Sequence, residues 1–301
     1  MGVKLLPDIE SIRCFLSAAR TLNFRAASKD LALTPAAFGK RIKQLEELFE
    51  ARLFERTTRH VRLTPAGQRL IPHARKLVSI AEECMRIGRG GSGPAPMSLT
   101  IGTRHELGMS WLVPMLDCFQ RTYPHLNVNY YFGSGPDIES KVRGYDIDCA
   151  VSSRVFVDPI FRSIRLKRED YVLVAARRLL DKVPFRTAAD ASRHCLLDVQ
   201  AEQPLFRYFR DAESAPDSIQ FDRVRIMGTT AAIRLLVLAE KGVSVLPLYL
   251  VKPDLDDGKL VRLFPEVALR CDYFRLIYRK DDPNADTYRQ IADLMQRQPL
   301  T

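Results

Sequence analysis

The sequence predicts a two-part chain, a winged helix-turn-helix followed by α/β subdomains. Three observations carry this. Residues 24–45 read as two short helices broken by a tight turn. Residues 51–64 read as a short β-hairpin, or wing, with a polar Arg-Thr-Thr-Arg-His tip. From residue 97 onward, apolar strands alternate with helical segments, the pattern of α/β domains with largely parallel sheets.

The elements follow in order. Residues 8–22 form an amphipathic helix with Ile9, Ile12, Phe15, Leu16, Ala19 and Leu22 on its inner side. Phe24, Ala27 and Leu31 give the next helix an apolar face, and Ala26 and Ala27 permit close packing. Thr34 can cap the third helix, and Pro35 suits its first turn, where a missing N–H costs nothing. Phe38, Ile42 and Leu45 then share one face, with Ala36, Lys40 and Lys43 opposite. A small-plus-basic front suits entry into the major groove of DNA, where small residues let the backbone approach and lysines meet phosphates or base edges. An ordinary helical hairpin with solvated lysines shares this pattern.

The surroundings favour the groove reading. Leu53, Phe54, Val61 and Leu63 flank the wing tip, which carries Arg56, Arg59, His60 and Arg62. The 301 residues have a net charge of +10, unevenly spread. Residues 1–90 hold 17 Lys and Arg against 9 Asp and Glu, and the remainder holds 29 against 27. An excess of positive charge confined to the first third is the electrostatic footprint of a nucleic-acid-binding module.

Thr64 and Pro65 repeat the helix-start signal for a long helix. Leu70, Ala74, Leu77, Ala81 and Cys84 form a seam, with Ile71, Val78 and Met85 in a parallel row. Such a seam fits packing on its own domain or a dimer contact. The dimer is preferred because paired heads reading two half-sites is the common helix-turn-helix arrangement. Gly90–Pro96 reads as a hinge. Strands are expected at 99–102, 127–132, 148–151, 171–175, 195–199, 242–246 and 273–278. Helices are expected at about 107–123, 138–143, 231–241 and 286–296.

The chain resembles a LysR-type transcriptional regulator over its whole length, most closely in residues 8–67. Phe24, Ala26-Ala27, Leu31, Thr34-Pro35-Ala36-Ala37, Ile42, Leu45-Glu46, Leu53-Phe54-Glu55-Arg56 and Leu63-Thr64-Pro65-Ala66-Gly67 carry the likeness. Gly133, Asp146-Ile147-Asp148 and Lys241-Gly242-Val243-Ser244-Val245-Leu246-Pro247 continue it more loosely. The resemblance implies a DNA-binding domain at 1–65, a dimerising linker helix at 66–90, a hinge at 91–96 and an effector-binding domain at 97–301. That last domain would resemble periplasmic binding proteins, with one α/β subdomain at 97–163 plus 268–301 and another at 168–262. The crossovers would fall near 163–167 and 263–267.

The resemblance also implies site residues. DNA contacts map to Arg25, Thr34, Pro35, Ala36, Gly39, Lys40 and Lys43, and to Arg56, Thr57 and Arg59 of the wing. Gly39 stands where a Ser is usual and Pro35 where a polar residue is usual, so base preference would lean on the wing, DNA shape and half-site spacing. The effector pocket would draw on Thr103, Arg104, His105, Glu106, Gly133, Ser134, Ser152, Arg154, Gln200, Thr229 and Thr230. Hydroxyls and free N–H groups at helix starts suit a carboxylate, with Arg104 or Arg154 as a positive partner. The expected effector is a small organic acid or an amino-acid-like anion.

The partners implied are double-stranded DNA, a second copy of the chain as homodimer or homotetramer, RNA polymerase and the effector. No cofactor and no metal are expected, and a cytoplasmic location is. The six cysteines form no CxxC or ligand cluster and read as small buried hydrophobes rather than a redox pair, which keeps a redox-sensing regulator as the minority reading. No GxSxG, HExxH, GxxxxGK[ST] or GxGxxG motif supports an enzyme. A free-standing solute-binding protein would carry a secretory signal, and none is seen. No apolar stretch approaches the ~20 residues of a membrane span.

Overall fold

The computed structural model describes residues 6–56, 60–90, 94, 96–216 and 219–300. The first part is a winged helix-turn-helix. Helix α1 (Ile9–Thr21) starts where the Asp8 carboxylate accepts a 2.9 Å bond from the Ser11 N–H, and ends at Leu22 in a left-handed conformation. Asn23 caps α2 (Phe24–Asp30), accepting from the N–H groups of Arg25 and Ala26. Thr34 caps α3 (Pro35–Leu48) through the Ala37 N–H at 3.2 Å, with Pro35 at the first position. Strands β1 (Phe54–Arg56) and β2 (Val61–Leu63) pair antiparallel as the wing. Ile12, Phe15, Phe38, Ile42, Leu45 and Phe54 are buried together as the periodicity requires. The Phe24 ring sits edge-on to Phe38 and Phe54.

Helix α4 (Pro65–Gly88) is capped by Thr64, whose hydroxyl accepts from the Gly67 N–H at 3.0 Å. Its first half packs on α1 through Ile71 and Ala74, so part of the seam is used within the chain. Leu77, Ile80, Met85 and Ile87 beyond it are exposed.

The second part begins with β3 (Met97–Thr103), α5 (His105–Leu107), a π-helical turn at Gly108–Leu112, and α6 (Leu116–Thr122). One continuous helix was expected here. Pro114, which has no N–H to donate, lies between the pieces. Then come β4 (Leu126–Phe132), α7 (Gly135–Arg143), β5 (Cys149–Ser152) and β6 (Phe161–Glu169). The chain continues through β7 (Tyr171–Ala176), α8 (Arg177–Lys182), β8 (Cys195–Asp198), α9 (Arg207–Arg210) and β9 (Arg223–Ile226). It closes with α10 (Thr230–Leu238), β10 (Ser244–Pro247), α11 (Leu248–Asp256), β11 (Leu260–Arg262), β12 (Asp272–Arg279) and α12 (Ala285–Arg297).

Two sheets organise these elements. The first has the order β4-β3-β5-β12-β6. In the second, β10-β7-β11 is joined to the parallel pair β8-β9 by a parallel bridge between Leu196 and Val243. The sheets are mixed, which corrects the expectation of largely parallel pairing. β4 and β5 run parallel to β3, but β12 runs against β5 and β6, and β7 against β10 and β11. The reason is how the chain enters. β7 and β12 arrive from the other sheet and run away from the junction, while their neighbours end at it. Pairing of β6 with β12 continues to Glu169 opposite Asp272, so the chain leaves the first sheet at Asp170, beyond the 163–167 crossover expected.

Among the described residues, the DNA-binding part meets the α/β part around Tyr145. Arg75 of α4 lies 3.4 Å from Asp148 and donates to the Tyr145 carbonyl. Its guanidinium also sits over the Tyr145 ring at 4.9 Å, as does that of Arg279 at 4.3 Å.

Candidate functional site

The recognition surface is built from α3 outward. Phe38, Ile42 and Leu45 anchor its back, which leaves Thr34, Pro35, Ala36, Lys40 and Lys43 exposed on the front. A Cβ on Gly39 would meet no atom within 4 Å, so this part of the surface is open. Arg25 is exposed at the start of α2. Lys43 lies 3.4 Å from Glu47, one turn on, an exposed pair that leaves the ammonium accessible. Arg56 is held more firmly, 2.9 Å from Glu46 and over the Phe24 ring at 4.6 Å. Thr57 and Arg59 lie outside the described residues.

Glu46 is a positioning residue that sequence reasoning left without a role. Its Oε1 accepts from the N–H groups of Leu53 and Phe54 at 2.9 and 3.1 Å, and its Oε2 accepts from Arg56. It ties the last turn of α3 to the start of the wing, so recognition helix and wing keep a fixed relation. An acidic residue ten positions before a wing arginine was the one available signal.

The junction between the two sheets, where an effector cleft is expected, gathers a subset of the expected effector residues. Glu106, on α5, reaches α10, where its Oε1 accepts from the Ala231 N–H at 3.3 Å. Thr229 caps the same helix through the Ala232 N–H, and Thr230 is buried beside it. The Arg104 guanidinium bonds the Ser153 hydroxyl at 3.3 Å and stands 3.6 Å from Glu169. His105 packs edge-on to Phe132. Thr103 is fully enclosed, and its hydroxyl donates to the Val151 carbonyl, so it supports the wall from within rather than facing a ligand.

The others are engaged elsewhere. Ser134 caps α7 through Asp137, and Gly133 has no room for a Cβ, which would lie 2.4 Å from an Asp137 oxygen. The Ser152 hydroxyl accepts from the Arg154 N–H, while the Arg154 side chain pairs with Glu139 at 3.6 Å, so of the two expected arginines Arg104 is the one turned toward Glu169. Gln200 is exposed in the loop after β8.

Glu169, at the last position of β6, was missed. Its side chain is 0% exposed, and neither carboxylate oxygen has a donor in hydrogen-bond geometry, although the Ser153 and Tyr171 hydroxyls stand close by. Burial pushes its carboxyl above the ordinary range, while the Arg104 charge and the Ser153 and Tyr171 hydroxyls oppose the rise. Tyr171, Tyr208 and Tyr249 surround this pair. Tyr171 stacks on Tyr208 with ring centres 3.8 Å apart, and the Tyr208 hydroxyl bonds the Asp272 carboxylate. Burial pushes all three phenols up, so they stay neutral.

A pH dependence follows with a definite sign. Glu169 holds its proton more tightly folded than unfolded. Its contribution is therefore fully present below the unfolded value of about 4.3 and is lost as pH rises through the raised folded value. Relative to Glu169→Gln, the parent protein is expected to lose a few degrees of Tm across that interval. Parallel melting curves against pH would contradict this.

All six cysteines are free thiols, and Cys14 and Cys149 are buried with their pKa values raised by desolvation. Among the described residues no group of three His, Cys, Asp or Glu could hold a metal, and no helix is long and apolar enough to cross a membrane.

Two family models match this chain. "LysR substrate binding domain" matches residues 92–299, and "Bacterial regulatory helix-turn-helix protein, lysR family" matches residues 9–68. The glycine cleavage system transcriptional activator of Escherichia coli K12 is 27% identical over 275 residues, covering 91% of this chain and 88% of that protein. Among solved structures, ArgP from Mycobacterium tuberculosis aligns with a TM-score of 0.73 at 20% identity, covering 97% of this chain and 98% of ArgP. Full-length LysG from Corynebacterium glutamicum, described with bound effector Arg, aligns with a TM-score of 0.67 at 19% identity, covering 96% of this chain and 98% of LysG.

Proposed function

The chain belongs to the LysR family of transcriptional regulators, and on that premise we propose that it reads paired half-sites as a dimer or tetramer whose grip on DNA is set by a small effector in the cleft. The observation that carries this is the joining of two devices in one chain. The Lys40–Lys43 front of α3, fixed to the wing by Glu46, lies at one end. A cleft crossed by the Glu106 contact to α10 lies at the other. The first makes charge-driven contacts to phosphate. The second changes shape when something competes for its internal bonds.

The exposed Leu77, Ile80, Met85 and Ile87 of α4 supply the apolar face through which two chains would pair. The contact of Arg75 with Tyr145 and Asp148 is the route by which closure of the cleft would reach that helix. Effector binding then alters the spacing of the two recognition helices, and with it contact with RNA polymerase. Only a difference in effector affinity between the two arrangements can drive the change.

The test uses fluorescence anisotropy with the promoter fragment beside the protein's own gene. Lys40→Ala is expected to weaken binding to specific and unrelated duplexes alike and to lower the slope of log K against log salt by about 1, without affecting effector binding. An unchanged slope, with affinity retained, would remove Lys40 from the interface.

A further inference from the structure

The charge balance in the cleft speaks to the chemical class of the effector, on the reading that this cleft is the effector site. Arg104 is a cation at its centre, with Arg275 beyond it donating to the Ser153 carbonyl, and two carboxylates face Arg104, Glu106 and Glu169. Asp272 adds a third acidic group near Glu169, already engaged by the Tyr208 hydroxyl. The N–H of Ala231 at the start of α10, where a ligand carboxylate would be drawn, is held by the protein's own Glu106. Glu169 is fully enclosed, no donor meets either oxygen in hydrogen-bond geometry although the Ser153 and Tyr171 hydroxyls stand near, and Arg104 stops at 3.6 Å. A buried carboxylate without a donor is expensive, and a ligand that brings donors relieves it.

We infer that the effector carries an ammonium group as well as a carboxylate, an amino acid rather than a simple organic acid, with the ammonium bound by Glu169 and the carboxylate by Arg104. A simple carboxylate would add negative charge where Glu106, Glu169 and Asp272 already outnumber Arg104 and Arg275, and would bring Glu169 no charged donor. A zwitterion adds no net charge and supplies three N–H donors to the enclosed oxygens. Arg104, whose side chain is 36% exposed, keeps an edge free for the carboxylate while Glu169 and Ser153 hold the rest.

The experiment is a thermal-shift and calorimetric screen of the full chain against the common amino acids, each beside its deaminated carboxylic acid. An amino acid is expected to raise Tm, and its deaminated partner to bind about tenfold or more weakly. Glu169→Gln, close to isosteric, is expected to lose about tenfold in affinity for that amino acid. Because the paired-ligand comparison uses the unaltered protein, it stands even where the variant fails to fold. A deaminated acid that binds as well as its parent would overturn the inference and leave the cleft reading in place. If no compound binds while promoter binding is intact, the cleft reading itself falls, and the inference with it.

Discussion

Replacing Gly67 with alanine is expected to unfold the winged half of the protein and abolish DNA binding, while the α/β half still melts on its own. Gly67 lies in the first turn of α4, pressed on the wing. A Cβ there would stand 2.3 Å from the Leu53 carbonyl oxygen and 2.9 Å from a Leu63 methyl. The methyl can give way, but the oxygen is backbone and already accepts from the Thr64 N–H at 3.0 Å. The Leu53 N–H is tied to Glu46 at 2.9 Å, so that strand cannot withdraw without breaking the link to α3. Overpacking of this kind costs about 3 kcal/mol, a large share of a small domain's stability. Gly39→Ala is the control. It lies in a helix with nothing within 4 Å, so it should stabilise by about 0.5–1 kcal/mol. Calorimetry resolves the two halves, and a Gly67→Ala protein with parental melting and promoter affinity would refute the close-approach argument.

Arg104→Ala carries the second large effect. It removes the cation beside an enclosed carboxylate, leaving Glu169 without its ion pair and with only the Ser153 and Tyr171 hydroxyls near. Breaking a fully buried pair costs 3–5 kcal/mol, and the partial exposure of Arg104 lowers the expected loss to about 2–3 kcal/mol. Affinity for the amino acid identified by the ligand comparison should fall by at least about tenfold, since a charged hydrogen bond is lost. The double variant Arg104→Ala, Glu169→Gln separates these consequences. It should regain most of the stability, because the uncompensated charge is gone, and none of the binding. A double variant less stable than the single one would show that the two groups are not coupled.

The recognition module was legible in the sequence because its signals are local. Thr34 caps α3 three residues from its donor, Pro35 fits the first turn, and the spacing of Phe38, Ile42 and Leu45 sets the buried face. The wing was legible for the same reason, from alternating apolar residues around a polar tip. The strand Phe161–Glu169 was not. Its run of arginines and lysine reads as a solvated segment, and its strand character comes from pairing with β12 about a hundred residues later. It is an edge strand, where charged residues are at home on the open side. Because β6 was hidden, so was Glu169 at its end, and the cleft looked more cationic than it is. The sequence offered the loop residues as one set, and their different engagements were not legible in it. Arg154 turned to Glu139, Thr103 turned inward, and Glu106 crossed to α10.

The sequence by itself determined a basic, capped and amphipathic helix-turn-helix at one end and an α/β domain at the other, because caps, turns and periodicity act within a few residues along the chain. Only the tertiary structure decided which charges face one another in the cleft. Arg104, Glu106, Glu169 and Ala231 come from distant segments, and the strength of a charge interaction depends on separation and burial, which exist only once the two sheets have come together.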